Sequence, residues 1–394
     1  MRIFEILETP EIKQLFKVFH QNGTESRLVG GCVRDAQLGI KATDIDVAVN
    51  VPPDKAKQIL EQAGIKVIPT GIDHGTITAV INKIPFQITS LRQDWQTFGR
   101  HAKVIFGTDW LEDAKRRDFT MNAIYLDGQG NLYDPFDGAK DLKEGIVRFI
   151  GEPKQRIQED YLRILRYYRF LAYYGKDVPK SVDELSELKN GLLNLSKERI
   201  QNEFFKLLAA KDPRMSLKLM EKDTVFETLF GYSLDLAHLF SIIELELSLK
   251  IEPGLFRRLY ALFGTDDEMY ANSFCLSRQQ KQYLNQLDKA LSYLDRRYIY
   301  YDFGSKIFLD WVLLNSVQRK LSMTEQQKHY QSESKWLSEL QHSCFPLSGA
   351  DLLEAGFSEG PEIGTILKMC KSWWIELDFK PNKDACLKYC LAQK

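Results

Sequence analysis

Asp44 and Asp46 stand one residue apart at the head of the apolar run Val47-Ala48-Val49. Alternate side chains of a strand project to one face, so a strand over Asp44–Val49 would present both carboxylates together. A carboxylate pair of this kind can hold the divalent cations that assist phosphoryl transfer. Shortly before it, Gly30 and Gly31 end the apolar pair Leu28-Val29 and lead into a short segment carrying Arg34 and Asp35. At a strand-to-helix turn, the bare backbone N–H groups of glycines can meet phosphate oxygens. Alone, a D-x-D pair is more often a solvated strand face, and a Gly-Gly turn says less still. In this order and spacing, the two point to chemistry on a nucleoside triphosphate.

Two more segments carry suitable side chains. KRRDFTMNAI, Lys115 to Ile124, brings Arg117, Asp118 and Asn122 within about a helical turn of each other. Guanidinium groups grip phosphate oxygens in a bidentate way, and Asp or Asn can read ribose hydroxyls. EDYLRILRYYRF, Glu159 to Phe170, is expected as one helix on which Asp160 and Arg163 share a face. Arg166 and Arg169 continue that spacing, while Leu165, Tyr168 and Ala172 form the stripe that would be buried. Taken singly, the first segment reads as a charged helix start and the second as an ion-paired surface.

The elements that must position these groups fall into two regimes. Up to about residue 140, short β-prone runs alternate with helical patterns: Ser26–Val29, Asp44–Val49, Lys66–Pro69, Gly75–Ile81 and Phe86–Leu91 as strands, and Asp54–Ala63 as a helix opened by Pro52-Pro53. The NKIP stretch reads as a hairpin connection. Beyond residue 140 apolar residues recur at helical spacing, as in Ile200, Phe204 and Leu207, and the rest is expected to be nearly all helical. Ser196 makes an N-cap with Glu198 in the first turn. The N-terminal MRIFEILETPEIKQLFKVF reads as an amphipathic helix, not a signal peptide.

The 394 residues suffice for two to four domains, and the hydrophobic fraction of 44% is ordinary for a globular chain. No apolar run reaches the roughly 20 residues of a membrane helix. The six cysteines are scattered without a C-x-x-C pair, which argues for reduced thiols, a cytoplasmic setting and no zinc site. A net charge of −1 does not announce a nucleic-acid binder, although a local basic stripe would suffice.

The glycine turn followed by D-x-D resembles the palm signature of polymerase-beta-like nucleotidyltransferases. With the Arg117 and Asp160 segments in order, the chain resembles the class II tRNA nucleotidyltransferases, the CCA-adding enzymes, most closely the group found in eukaryotes and some bacteria. SKERIQNEFFKLL, Ser196 to Leu208, is similar to the helix that braces the nucleotide site in that family. PLSGADLLEAGFSEGPEIGTIL, Pro346 to Leu367, is similar to its C-terminal tRNA-binding signature. The resemblance implies an α+β nucleotidyltransferase head over 1–140 with a flexible loop at about 91–114. An all-α neck (141–210), body (211–345) and tRNA-binding tail (346–394) would follow.

It further implies Mg²⁺ on Asp44 and Asp46, with CTP, ATP and the tRNA 3′ end as partners. Gly30, Gly31, Arg34 and Arg117 would meet the triphosphate, and Asp118 and Asn122 the ribose. Asp160 and Arg163 would read the base, with Glu159 orienting Arg163 and with Arg166 and Arg169 as further nucleotide contacts. Hydrogen-bond chemistry explains the base reading. Asp160 offers acceptors and Arg163 offers donors. Cytosine and adenine present an amino donor beside a ring-nitrogen acceptor, whereas uracil and guanine present the reverse. The pair therefore admits C and A without a template.

In the tail, Gly360-Pro361 opens a helix whose N–H groups, with Lys368, Lys371, Trp373 and Trp374, would extend an RNA surface; core packing is the commoner role for the two tryptophans. Two positions depart from the family pattern. Gln87 stands where a glutamate is usual near the metals, and Phe98 replaces an aspartate in the loop phrase TFGRHA. Partial addition of A or CC, poly(A) synthesis, or an inactive RNA-binding relative are the alternatives these leave open.

Overall fold

The computed structural model describes residues 3–42, 44–72, 75–98, 101–177, 182–340 and 344–393. The chain divides into two compact units, Met1–Ser233 and Leu234–Lys394.

The first unit holds nine strands: β1 (Ser26–Val29), β2 (Ile45–Val49), β3 (Lys66–Gly71), β4 (Thr76–Ile81), β5 (Ile84–Ser90), β6 (Arg92–Phe98), β7 (His101–Phe106), β8 (Tyr125–Leu126) and β9 (Leu132–Tyr133). Its helices are α1 (Ile3–Leu7), α2 (Pro10–Gln21), α3 (Gly31–Gln37), α4 (Pro53–Gln62), α5 (Trp110–Lys115), α6 (Gly138–Glu144), α7 (Pro153–Glu159), α8 (Leu162–Tyr174), α9 (Asp183–Glu187), α10 (Lys197–Leu208), α11 (Arg214–Lys222) and α12 (Val225–Phe230). Seven strands form one sheet in the order β3-β4-β5-β2-β1-β8-β9. Within it, β2 and β5 run parallel and the other neighbours antiparallel.

Strand alternation decides what each face of the sheet does. Leu28, Val47, Val49, Phe86 and Ile88 point into a core with Ile12, Leu15 and Phe19 of α2, Val33 of α3 and Ile59 and Leu60 of α4. Val29 and Ala48 point the other way and pack with Trp110, Ala114 and Tyr125. Asp46, two residues from Ala48, shares this second face. So does Gln87, which lies between the inward Phe86 and Ile88 and stands opposite Asp46 in the parallel register.

Several sequence expectations shift by a few residues. The N-terminal segment is two helices, because Pro10 starts a new helix at its first position. The β4–β5 turn is only Asn82-Lys83, both left-handed at φ 50° and 67°, so Ile84 and Pro85 join the strand. The expected loop at 91–114 is, along its described backbone, the ribbon β6–β7 followed by α5. β-prone residues such as Trp95, Thr97, Val104 and Ile105 account for the ribbon. The Phe98 side chain and residues Gly99 and Arg100 of the TFGRHA phrase lie outside what the structure describes.

The segment Glu159–Phe170 is not one helix. α7 ends at Glu159, Asp160 is extended at φ −155° and ψ 104°, and α8 begins at Leu162. Likewise Lys115–Ile124 is a helix end followed by a 3-10 turn over Thr120–Asn122, not the start of a helix. Phe119 in that segment packs against Phe149, Tyr167 and Phe170, tying α8 to the sheet domain. As expected, Ser196 caps α10, its hydroxyl accepting from the Arg199 N–H.

The second unit is helical: α13 (Ala237–Leu249), α14 (Leu255–Phe263), α15 (Asp267–Ser273), α16 (Arg278–Ser292), α17 (Arg296–Gln318), α18 (Met323–Glu339), α19 (Gly349–Glu354), α20 (Pro361–Glu376) and α21 (Lys383–Leu391). Pro361 occupies the first turn of α20, as expected. Trp374 is buried beside Cys370, Cys386 and Cys390 and serves packing, while the partly buried Trp373 stacks on Tyr389 at 4.5 Å. Among the described residues no helix is long and apolar enough to cross a membrane.

Candidate active site

One pocket of about 580 Å³ in the first unit gathers Gly30, Gly31, Arg34, Asp44, Asp46, Arg117, Asp118, Asn122, Asp160, Arg163, Arg166 and Arg169. Of the metal- and nucleotide-contacting residues expected from the sequence, Glu159 is the one that does not line it and meets the pocket through Arg163. Asp35, Phe170 and Lys206, which the sequence did not single out, also line it.

Gly30 turns the chain from β1 into α3 at φ 71°, a left-handed conformation that disfavours side chains. A β-carbon there would also lie 3.4 Å from an Arg117 nitrogen. Asp44 lies just before β2 and Asp46 within it, so the pair opens the strand instead of lying wholly inside it. Burial raises the Asp46 pKa, Arg117 opposes the rise and Asp44 adds to it. Behind Asp46 sits Cys32, whose thiol burial pushes up to about 11, making it a packing group and not a nucleophile.

Each arginine is held by protein acceptors. Arg117 pairs with Asp113 at 3.1 Å and donates to the Tyr125 hydroxyl at 3.1 Å. Burial alone would raise the Asp113 pKa, but Arg117 and Arg116 hold it down at about 2. Arg34 donates to Asn122 Oδ1 at 2.6 Å and to Asp35 at 3.0 Å. Asn122 in turn donates to Asp118 at 2.9 Å, and Arg166 pairs with the other Asp118 oxygen at 2.5 Å. Against its burial, Asp118 is therefore also held at about 2 by Arg166 and these hydrogen bonds.

The break between α7 and α8 sets the far end of the pocket. Arg163 donates to Glu159 at 2.7 Å and to the Arg156 carbonyl at 2.6 Å. Arg156 donates to the carbonyls of Arg116 and Arg117 at 2.6 and 2.7 Å and pairs with Glu159. Asp160 Oδ1 accepts the Leu162 N–H at 3.2 Å, and Oδ2 accepts Arg199 of α10 at 2.8 Å. Further along α10, Glu203 pairs with Arg169 at 2.6 Å and Arg166 at 3.5 Å.

Sequence reading did not single out Asp113, Arg156, Arg199 and Glu203. Asp113 and Arg156 fall just outside the recognised segments. Arg199 and Glu203 do lie in the bracing segment, at the helical i, i+4 spacing that marks one face.

Comparisons with known proteins show the family. Residues 26–148 match the poly A polymerase head domain, and residues 179–234 the probable RNA and SrmB-binding site of polymerase A. The mitochondrial CCA tRNA nucleotidyltransferase 1 of Danio rerio is 35% identical over 98% of this chain and 91% of its own length. The CCA-adding enzyme of Bacillus stearothermophilus, solved with CTP, has this fold at a TM-score of 0.73 and 23% identity, over 96% of each chain. The Thermotoga maritima CCA-adding enzyme, solved with tRNA_CCA, has it at 0.67 and 21% identity, over 100% of this chain and 98% of that one. The chain belongs to the CCA tRNA nucleotidyltransferase family, whose members are generally metal-dependent.

Asp44 and Asp46 suit a metal: both donors are hard carboxylate oxygens, and Asp46 is a half-buried acid whose charge a cation would offset. Among the described residues no cluster of three or more His, Cys, Asp or Glu side chains forms a metal cage. A two-carboxylate site is what Mg²⁺ commonly uses when substrate phosphates and water complete its shell.

Proposed function

We propose that this protein adds CCA to tRNA 3′ ends without a nucleic-acid template, using CTP and ATP and releasing pyrophosphate. The observation that carries the reading is the convergence of Asp44 and Asp46 with Asp160 and Arg163 on one pocket. A carboxylate pair alone suits many phosphoryl transfers, and a base-reading pair alone suits many nucleotide binders. Together they suit an enzyme that chooses its own nucleotide.

In this proposal the Gly30–Gly31 turn and Arg34 cradle the triphosphate, joined by Arg117, while Asp118 and Asn122 face the ribose. Asp160 accepts from the amino group of C or A, and Arg163, steadied by Glu159, donates to the neighbouring ring nitrogen. Arg166 and Arg169 add nucleotide contacts from α8. The tRNA 3′-hydroxyl attacks the alpha phosphate and pyrophosphate departs. Asp44 and Asp46 would hold Mg²⁺, which supplies activation of the hydroxyl and neutralisation of the leaving charge. Positioning and electrostatics do the rest.

By the same reading, residues 1–140 are the nucleotidyltransferase head, 141–210 the neck that bears the base-reading pair, 211–345 the body and 346–394 the tRNA-binding tail. Recognition of the RNA would rest on duplex shape, because A-form grooves hide base sequence from side chains. A cytoplasmic residence is proposed from the six free thiols.

The test supplies tRNAs ending before CCA, after C and after CC, with CTP and ATP singly and together, resolved at single-nucleotide resolution. Ordered additions that stop at the terminal A bear the proposal out. A stop after CC, or A added only to the CC end, makes the protein a partial enzyme. No addition to any of the three refutes the proposal.

A further inference from the structure

We propose that Lys206 is the pocket's ligand for the outer phosphates of the incoming nucleotide and for departing pyrophosphate, an assignment that rests on the nucleotide-transfer reading above. Six cationic side chains line the pocket: Arg34, Arg117, Arg163, Arg166, Arg169 and Lys206. Each arginine is already engaged by a carboxylate, from Asp35, Asp113, Glu159, Asp118 and Glu203 respectively. Lys206 differs. Among the described residues its ammonium has no hydrogen bond or ion pair, and its side chain is exposed where it lines the pocket. It is the pocket's uncompensated positive charge, and a polyphosphate is the anion the reaction brings there.

Its place along α10 says which part of the nucleotide it meets. Arg199, Glu203 and Lys206 are spaced i, i+4 and i+7 and so follow one face of the helix. Arg199 holds Asp160 at the base-reading end, and Glu203 holds Arg169 one turn further on. Lys206 comes next, roughly 10 Å from Arg199 along the axis at 1.5 Å per residue. The Lys206 carbonyl accepts the Tyr173 hydroxyl at 3.0 Å, which fixes this turn of α10 against the end of α8. Beside Tyr173, Tyr174 packs under the Arg34 guanidinium at 4.4 Å, and Arg34 adjoins the Gly31 turn. Lys206 thus faces the glycine-turn end of the pocket, away from Asp160. With the base at Asp160, that end receives the triphosphate tail. A flexible, compact ammonium suits a phosphate that must first be held and then released.

The experiment titrates CTP, pyrophosphate and CMP into wild-type protein, Lys206→Ala and Lys206→Arg by calorimetry, and measures KM for CTP and for tRNA in parallel. Lys206→Ala should weaken CTP and pyrophosphate about tenfold, the effect of losing one charge-assisted contact at an exposed site, and leave CMP unchanged. Lys206→Arg should keep most of the affinity, and KM for tRNA should not move. Unchanged CTP and pyrophosphate affinities overturn the assignment. So does a raised KM for tRNA with CTP binding intact, which would make Lys206 an RNA-backbone contact. If the wild type transfers no nucleotide yet binds CTP in a Lys206-dependent way, the functional reading falls and this assignment stands. If transfer is normal and Lys206→Ala binds like wild type, only this assignment falls.

Discussion

Arg199→Met is the sharpest test of how the base is chosen. Arg199 does not line the pocket; it reaches the reaction through Asp160, whose Oδ2 it contacts at 2.8 Å. The other oxygen accepts only a longer bond, 3.2 Å, from the Leu162 N–H. Asp160 sits in extended backbone between two helices, where its carbonyl accepts the Arg163 N–H at 3.0 Å, and Arg199 is the main tether of its carboxylate. A hydrogen bond between charged groups contributes about 1.5–3 kcal/mol. The two side chains are 18% and 21% exposed, which places this pair toward the low end through solvent screening. A loss of about 1.5–2 kcal/mol corresponds to roughly 10- to 30-fold. We predict that kcat/KM for CTP falls by about that factor while incorporation of UTP falls less, so the preference for C over U drops roughly tenfold. Arg199→Lys, which keeps the charge and loses the planar fork, should recover part of it. The assay is primer extension on tRNA lacking CCA, with CTP and UTP compared at single-nucleotide resolution. An Arg199→Met variant that keeps the wild-type C-to-U ratio would refute the reasoning, even if its overall rate fell, because the base-reading pair needs Asp160 held in position.

Asp46→Asn should abolish turnover and raise Tm at neutral pH. Burial raises the Asp46 pKa, so the folded state binds this proton more tightly than the unfolded one and loses stability as pH rises through the carboxyl range. The amide removes that penalty, and a lower Tm would contradict the argument. Asp113 and Asp118 have the opposite sign, both being held at about 2. Their contribution, on the order of 2 kcal/mol each, is fully present above the unfolded carboxyl value and is lost as pH falls toward their folded pKa. Denaturant melts between about pH 6 and 2 should show this loss, and its reduction in Asp113→Asn. Gln87→Glu places a third carboxylate opposite Asp46 on the same sheet face. It should lower the Mg²⁺ concentration giving half-maximal activity severalfold, and an unchanged titration would show that this position does not reach the cation.

The strand through Val47-Ala48-Val49 was legible as a short apolar run headed by the D-x-D pair, and the two-residue period of any strand then gives the face that Asp46 shares with Ala48. Helical spacing carried α8 and α10 in the same way. The break at Asp160 was not legible. Glu159 to Phe170 has no proline or glycine, and its apolar spacing fits an unbroken helix. The break is tied from outside the segment by Arg199 on Asp160 and by the Arg156 carbonyl on Arg163, while Glu159 holds Arg163 from within. The ribbon β6–β7 was missed for a different reason, since the family resemblance argued for a loop where the β-prone side chains argued for strands. Trp374 went the way of ordinary packing, because it reaches the core from the buried face of α20.

Three of the residues that sequence reading missed, Asp35, Asp113 and Glu203, are acids, and the pocket explains why they must exist. Five guanidinium groups facing one cavity would repel each other strongly if left alone, and desolvating them adds to the cost. Pairing each with its own carboxylate removes that repulsion while leaving donors to spare, since a guanidinium carries five N–H groups. The acids come from α3, α5, the turn before Thr120, α7 and α10, so the pocket draws on elements spread over most of the first unit. Binding strength and rigidity are thereby separated. The paired arginines supply oriented donors whose net charge is already balanced, and long-range attraction for a polyanion falls to the cation that has no carboxylate. An acid-to-amide change should therefore loosen geometry and selectivity more than it changes affinity, whereas a change at Lys206 should do the reverse.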